Sequence, residues 1–132
     1  MRFMLLQSFG PASSGMGHIG AWSQADIQAH IEFQIALNAE LKAAGELVDA
    51  QGLADPSDAR FVISDGHRPP VVSDGPFPES KELVAGYRIV EVASLDRSIE
   101  IAARISAAPG IGGDPVRQPI EVREVMSVPE PT

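Results

Sequence analysis

An α+β sandwich of the ferredoxin-like type is the fold this chain predicts, and three observations lead to it. Two segments with helical patterning, from Ser23 to about Gly45 and from Ser94 to about Ser106, are each flanked by strand-like runs. Between these halves lie two short β-branched runs around a polar turn, the pattern of a hairpin. The order is therefore β-α-β, hairpin, β-α-β, with both helices on one face of the sheet.

Each element has a local reason. Residues 2–8, RFMLLQS, are apolar at successive positions, as in a strand covered on both faces. Ser23 is placed to cap the first helix, with Asp26 three residues on, and Gly45 to end it. Residues 46–53 form a short strand, and ADPSD at 54–58 a turn. ARFVIS (59–64) and PVVS (70–73) make the hairpin around DGHRP. VAGYRIVEVA (84–93) is the strongest strand, rich in β-branched residues. Ser94 caps the second helix, with Ile99, Ala102, Ala103 and Ile105 marking its expected buried side. The segment 108–119 reads as a long, mobile loop, and 120–126 closes as a strand.

Length and composition fit one domain spanning 1–132, with 44% hydrophobic and 21% charged residues. The net charge of −8, from 10 basic and 18 acidic side chains, repels phosphate backbones, so no nucleic-acid partner is expected. With no cysteine there is no disulfide, thiolate metal site or cysteine nucleophile. MRFMLLQSFG has one basic residue and a short apolar run, so it reads as a strand rather than a signal peptide. No apolar run approaches the ~20 residues of a membrane span. A cytoplasmic protein without a membrane partner is the expectation. Strands 2–8 and 84–93 do not alternate cleanly, so the sheet face away from the helices is also apolar. A homodimer through that face would cover it.

The first helix has an unusual middle. Ile27, Ile31, Phe33, Ile35, Leu37, Leu41 and Ala44 suggest one broad apolar face, but His30, Gln34 and Asn38 fall within it. They are spaced i, i+4, i+8 and so stack in one row. Buried polar groups need partners or water. The row is either satisfied inside a core or lines a pocket where the helix is lifted off the sheet. A small-molecule ligand is expected there on the second reading.

Familiar motifs fail on context. GMGHIG at 15–20 matches G-x-G-x-x-G, but the helix cap lies beyond it, the positions ~20 residues onward fall mid-helix rather than at a strand end, and Asp49 comes too late. No nucleotide or other cofactor is expected. His18, His30 and His67 show no metal-ligand spacing, so no metal is expected. No G-x-S-x-G elbow occurs.

The stretch SDGPFPES (73–80) predicts a rigid elbow. Pro76 and Pro78 fix their own φ, Gly75 opens conformations closed to other residues, and Asp74 can accept backbone hydrogen bonds. This elbow, followed by Lys81-Glu82 and Gly86-Tyr87, together with RFMLLQ, LNAELKAAGELVDAQGL and IEVREVM, resembles the DGPF-domain branch of the YCII-related proteins over nearly the whole chain. The resemblance implies a dimeric α+β barrel with a ferredoxin-like protomer. It also implies an active-site pair of one histidine and one aspartate, and some members of the branch are linked to sigma-factor regulation. Asp74 matches the family aspartate. The family histidine falls nearer Gln34 than His30, which lies one turn away on the same face. Gln51 stands where the family has Glu, and Arg123 is retained.

Two functions are carried forward. In the first, Asp74 and His30 exchange a proton with a small organic substrate in a helix–sheet pocket. Gln34 and Asn38 would form its wall, Phe77 and Glu82 its mouth, and Lys81 or Arg123 would hold an anionic group. In the second, the same pocket binds a small molecule without reaction, as a non-catalytic small-molecule-binding or regulatory dimeric module.

Overall fold

The computed structural model describes residues 1–9, 19–74 and 83–127. Its elements are β1 (Arg2–Phe9), α1 (Gln24–Ala43), β2 (Leu47–Gly52), β3 (Arg60–Ile63), β4 (Val71–Asp74), β5 (Leu83–Glu91), α2 (Leu95–Ser106) and β6 (Ile120–Glu124). Four strands form an antiparallel sheet in the order β2-β5-β1-β6. β3 and β4 pair separately as the inserted hairpin. Apart from that hairpin the topology is ferredoxin-like, as the order of segments predicts.

The helix ends follow from the residues that cap them. The Ser23 hydroxyl accepts the Asp26 N–H at 3.2 Å, and the Ser94 hydroxyl accepts that of Arg97 at 3.2 Å. At the end of α1 the chain turns through Gly45, at φ 73°. The Glu46 N–H reaches the Leu41 carbonyl at 2.9 Å and the Gly45 N–H reaches Lys42 at 3.0 Å, the paired bonds of a Schellman turn. Arg97 clamps Glu46 through two 2.8 Å bonds, tying the start of α2 to that turn. The guanidinium holds the Glu46 carboxyl below its ordinary range.

Phe3, Leu5, Val90 and Val92 from the sheet meet Leu37, Leu41, Ile101, Ala102 and Ile105 from the helices. Register fixes which strand residues share the helix-facing side: Phe3 pairs with Val90, Leu5 with Arg88 and Gln7 with Gly86. Two helix faces differ from the sequence expectation. Ile31 and Ile35 of α1 are 48% and 63% exposed, because the buried stripe runs through Phe33, Leu37 and Leu41. In α2 the buried stripe is Ser98, Ile101, Ala102 and Ile105, leaving Ile99 and Ala103 exposed. The α1 stripe keeps the i, i+4, i+8 spacing and the α2 stripe the i, i+3, i+4 spacing that one helix side presents, whereas the expected sets counted apolar residues around too wide an arc.

The 108–119 segment is not an open loop. Gly110 donates to the Asp114 carbonyl at 2.7 Å, Val116 to Ala108 at 2.9 Å and Arg117 to Ser106 at 2.8 Å. These bonds hold Pro109 over α1, which matters for the site.

Candidate functional site

The polar row of α1 sits on the helix side that faces the sheet. Leu37 and Leu41 bury the C-terminal half of the helix in the core, while His30, Gln34 and Asn38 line a cavity of about 240 Å³. The opposite wall comes from β1, β2 and β5, chiefly Gln7, Ala50, Gly52, Gly86 and Arg88. The row thus borders open volume rather than a filled core.

Arg88 is the centre of this arrangement and is only 4% exposed. Its Nε donates to Asn38 Oδ1 at 2.7 Å, and its Nη2 donates to Gln34 Oε1 at 2.5 Å. Among the described residues no carboxylate pairs with it. Burial alone pulls its pKa below the ordinary guanidinium value. The charge nevertheless persists at neutral pH, since arginine does not deprotonate in proteins.

An arginine has no acceptor, and this sets the direction of the whole network. Gln34 must turn its oxygen to Arg88, so its amide nitrogen faces His30 Nε2 at 3.3 Å. His30 Nε2 is then the acceptor, and Nδ1 carries the proton donated to the Pro109 carbonyl at 2.9 Å. The chain of bonds runs from Arg88 through Gln34 and His30 to the pinned loop. Trp22 packs on the network, its ring set edge-on to His30 with centroids 5.5 Å apart. Gln118 donates to the Ser8 carbonyl at 2.7 Å and accepts from Gln7 at 3.5 Å.

Small residues make the space. A Cβ placed on Gly52 meets nothing within 4 Å, so this cavity wall is open. Gly86 is the reverse: a Cβ there would lie 2.9 Å from the Gln51 carbonyl oxygen and 3.3 Å from Gly52 Cα. These are backbone atoms of the neighbouring strand, so relief requires β2 and β5 to separate. Gly86→Ala should lower the unfolding free energy by about 1–3 kcal/mol, the usual cost of overpacking, measured by urea denaturation.

Beside the cavity, Tyr87 donates its hydroxyl to Asp49 Oδ2 at 2.9 Å across the β5–β2 pair. That bond holds the Asp49 carboxyl below its usual range and pushes the Tyr87 phenol above its own. Tyr87 is the only tyrosine in the chain, so its ionisation can be followed alone. Its absorbance titration at about 295 nm should have a midpoint above the ordinary ~10, and Asp49→Asn should bring it back down.

The other sequence-derived site residues are not gathered here. Asp74 ends β4 on the inserted hairpin, 85% exposed, and pairs with Arg60 at 3.1 Å. It does not line the cavity that His30 lines, so the expected pair is not assembled around this cavity. Arg123 of β6 is opposite Met4, on the sheet face away from the helices, and lies 3.5 Å from Glu121. Among the described residues the cation that lines the cavity is Arg88. Phe77, Lys81 and Glu82, like His18, lie outside the described residues. Arg88 carries a sequence signal of its own, which motif and family likeness did not pick out. It is the lone charge in YRIVEV that shares strand parity with Val90 and Val92, both of them core residues.

Fold and site together define a ferredoxin-like α+β protein with a polar, arginine-centred cavity between its first helix and its sheet. Comparison places it more closely: the profile of the YCII-related domain matches residues 1–113, and the chain belongs to that family. It is also 31% identical over 98 residues to an uncharacterised protein of Rhizobium meliloti (strain 1021), covering 74% of this chain and 78% of that protein. Among the described residues no helix is long and apolar enough to cross a membrane.

Proposed function

We propose that this YCII-related protein binds a small polar organic molecule in the cavity between α1 and the sheet, and that it works as a cytoplasmic homodimer of the DGPF type. The observation that carries the reading is the convergence of Gln34 and Asn38 on Arg88, with His30 bonded to Gln34, around about 240 Å³. A row of amides with no volume to serve would be better replaced by leucines. Here each amide keeps a fixed orientation, which is what a binding wall needs.

The dimer is supported by the other sheet face, where half-buried Met4, Leu6, Tyr87 and Ile89 lie side by side between charged edges. Light scattering at micromolar concentration should give about twice 14.0 kDa, and a stable monomer would contradict it.

The binding reading is tested by NMR with small polar probes such as lactamide, glycolamide and glycerol. Amide shifts should cluster on Gln34, Asn38, Gly52 and Gly86, and Gly52→Val, which fills the open wall, should abolish them. Shifts elsewhere, or unchanged by Gly52→Val, would refute it.

Acid/base chemistry is the second reading, favoured by the long 3.3 Å bond at His30 Nε2, which a substrate could displace. Asp74 would then have to reach the site from the hairpin. Wild-type protein should exchange an activated C–H of bound pyruvate with deuterated water, and His30→Gln should not. Equal rates would remove this reading.

A further inference from the structure

Resting on that binding reading, we infer that Arg88 makes the cavity a receptor for a small monocarboxylate bearing a second polar group. Four observations support the assignment. First, Arg88 is almost fully buried and faces two neutral amides, with no carboxylate partner among the described residues. A guanidinium has five N–H donors, more than the two acceptors that Gln34 and Asn38 provide. A planar carboxylate is the ligand whose geometry matches the rest of the fork.

Second, among the described residues no other lysine or arginine lines the cavity. One positive charge neutralises one negative charge, so a monoanion is favoured over a phosphate or dicarboxylate dianion. Third, there is room for a small ligand: about 240 Å³ is well above what a single water needs, so a molecule of a few non-hydrogen atoms is accommodated. Fourth, Gln7 from the sheet wall and His30 from the α1 wall line the same cavity and supply polar groups for a hydroxyl or carbonyl beside the carboxylate.

The acidic surface does not contradict this. A net charge of −8 repels anions at long range, but exposed charges are screened beyond ~8 Å at physiological salt, and Arg88 acts at contact. The residue is built into β5 opposite Leu5, so its position does not depend on the ligand.

Lactate and lactamide are near-isosteres of six non-hydrogen atoms each, one charged and one neutral. Calorimetric titration of the wild-type protein should show saturable lactate binding, with lactamide at least about tenfold weaker and malonate and inorganic phosphate weaker than lactate. Arg88→Met should weaken lactate at least about 30-fold, the loss usual for removing one partner of a buried charge pair. The lactate–lactamide comparison uses the wild-type chain and stands whatever the variant's fold. Equal binding of the two probes would overturn the carboxylate assignment while leaving the cavity a binding site. Tighter binding of malonate or phosphate would overturn the monoanion. Absence of lactate binding would overturn the inference whether or not the neutral probes still map to Gly52 and Gly86.

Discussion

Leu37→Ala is expected to lower the unfolding free energy by about 2–5 kcal/mol, whereas Ile35→Ala changes it by no more than about 0.5 kcal/mol. The two residues are two positions apart on α1, and a hydrophobicity count treats them alike. Leu37 is 1% exposed within the core that Val90 and Ile101 complete; Ile35 is 63% exposed. Truncating Leu37 removes buried methyl groups and leaves a void that close-packed neighbours fill only in part. Truncating Ile35 removes apolar surface that water already reaches. The chain has one tryptophan, Trp22, which packs on His30, so urea denaturation followed by its fluorescence reports on α1 and on the site together. Equal losses for the two variants would mean that α1 is rotated from the orientation described.

The second large effect is at the amides that hold Arg88. Gln34→Ala and Asn38→Ala each remove an acceptor from a buried cation. A hydrogen bond to a charged group contributes about 1.5–3 kcal/mol, so each variant should lose roughly that much. The double variant should lose less or more than the sum, because both acceptors serve one guanidinium and the sites couple. Gln34→Ala should also free His30 from its side-chain partner, so Trp22 fluorescence should change more than for Asn38→Ala. Losses below about 0.5 kcal/mol in both would show that Arg88 is held by something else. Thermal or urea unfolding of the three variants decides it.

Much of the fold was legible because its punctuation is local. Ser23, Gly45 and Ser94 mark the helix ends with side-chain and backbone chemistry that needs no tertiary context. The hairpin is legible from Val71-Val72 and Phe61-Val62-Ile63 set around a turn. Which side of each helix is buried was less legible. Ile31, Ile35 and Ile99 are as apolar as the core residues, and their exposure is set by how the helix sits on the sheet, which composition does not encode.

The site was half legible. The i, i+4, i+8 row of His30, Gln34 and Asn38 is a helical regularity and could be read directly. Its partner could not be read with the same ease, because Arg88 meets Gln34 and Asn38 only through the pairing of β5 beneath α1, 54 and 50 residues away in sequence. Asp74 and Arg123 drew attention through local motif and family likeness, but the fold sets Asp74 on the hairpin and Arg123 on the far sheet face. Strand parity with Val90 is the sequence feature that marks Arg88, rather than Arg123, as the cation facing the helices.

A charged arginine is clamped under α1 by two amides at the wall of a cavity. The most direct measurement is the side-chain 15N–1H signal of Arg88 Nε, assigned by its loss in Arg88→Met. Its Hε should exchange with water far more slowly than those of the exposed Arg60 and Arg68, and Asn38→Ala should speed that exchange. An Arg88 Hε that exchanges as fast as those two, and is indifferent to Asn38, would show that Arg88 is not clamped there.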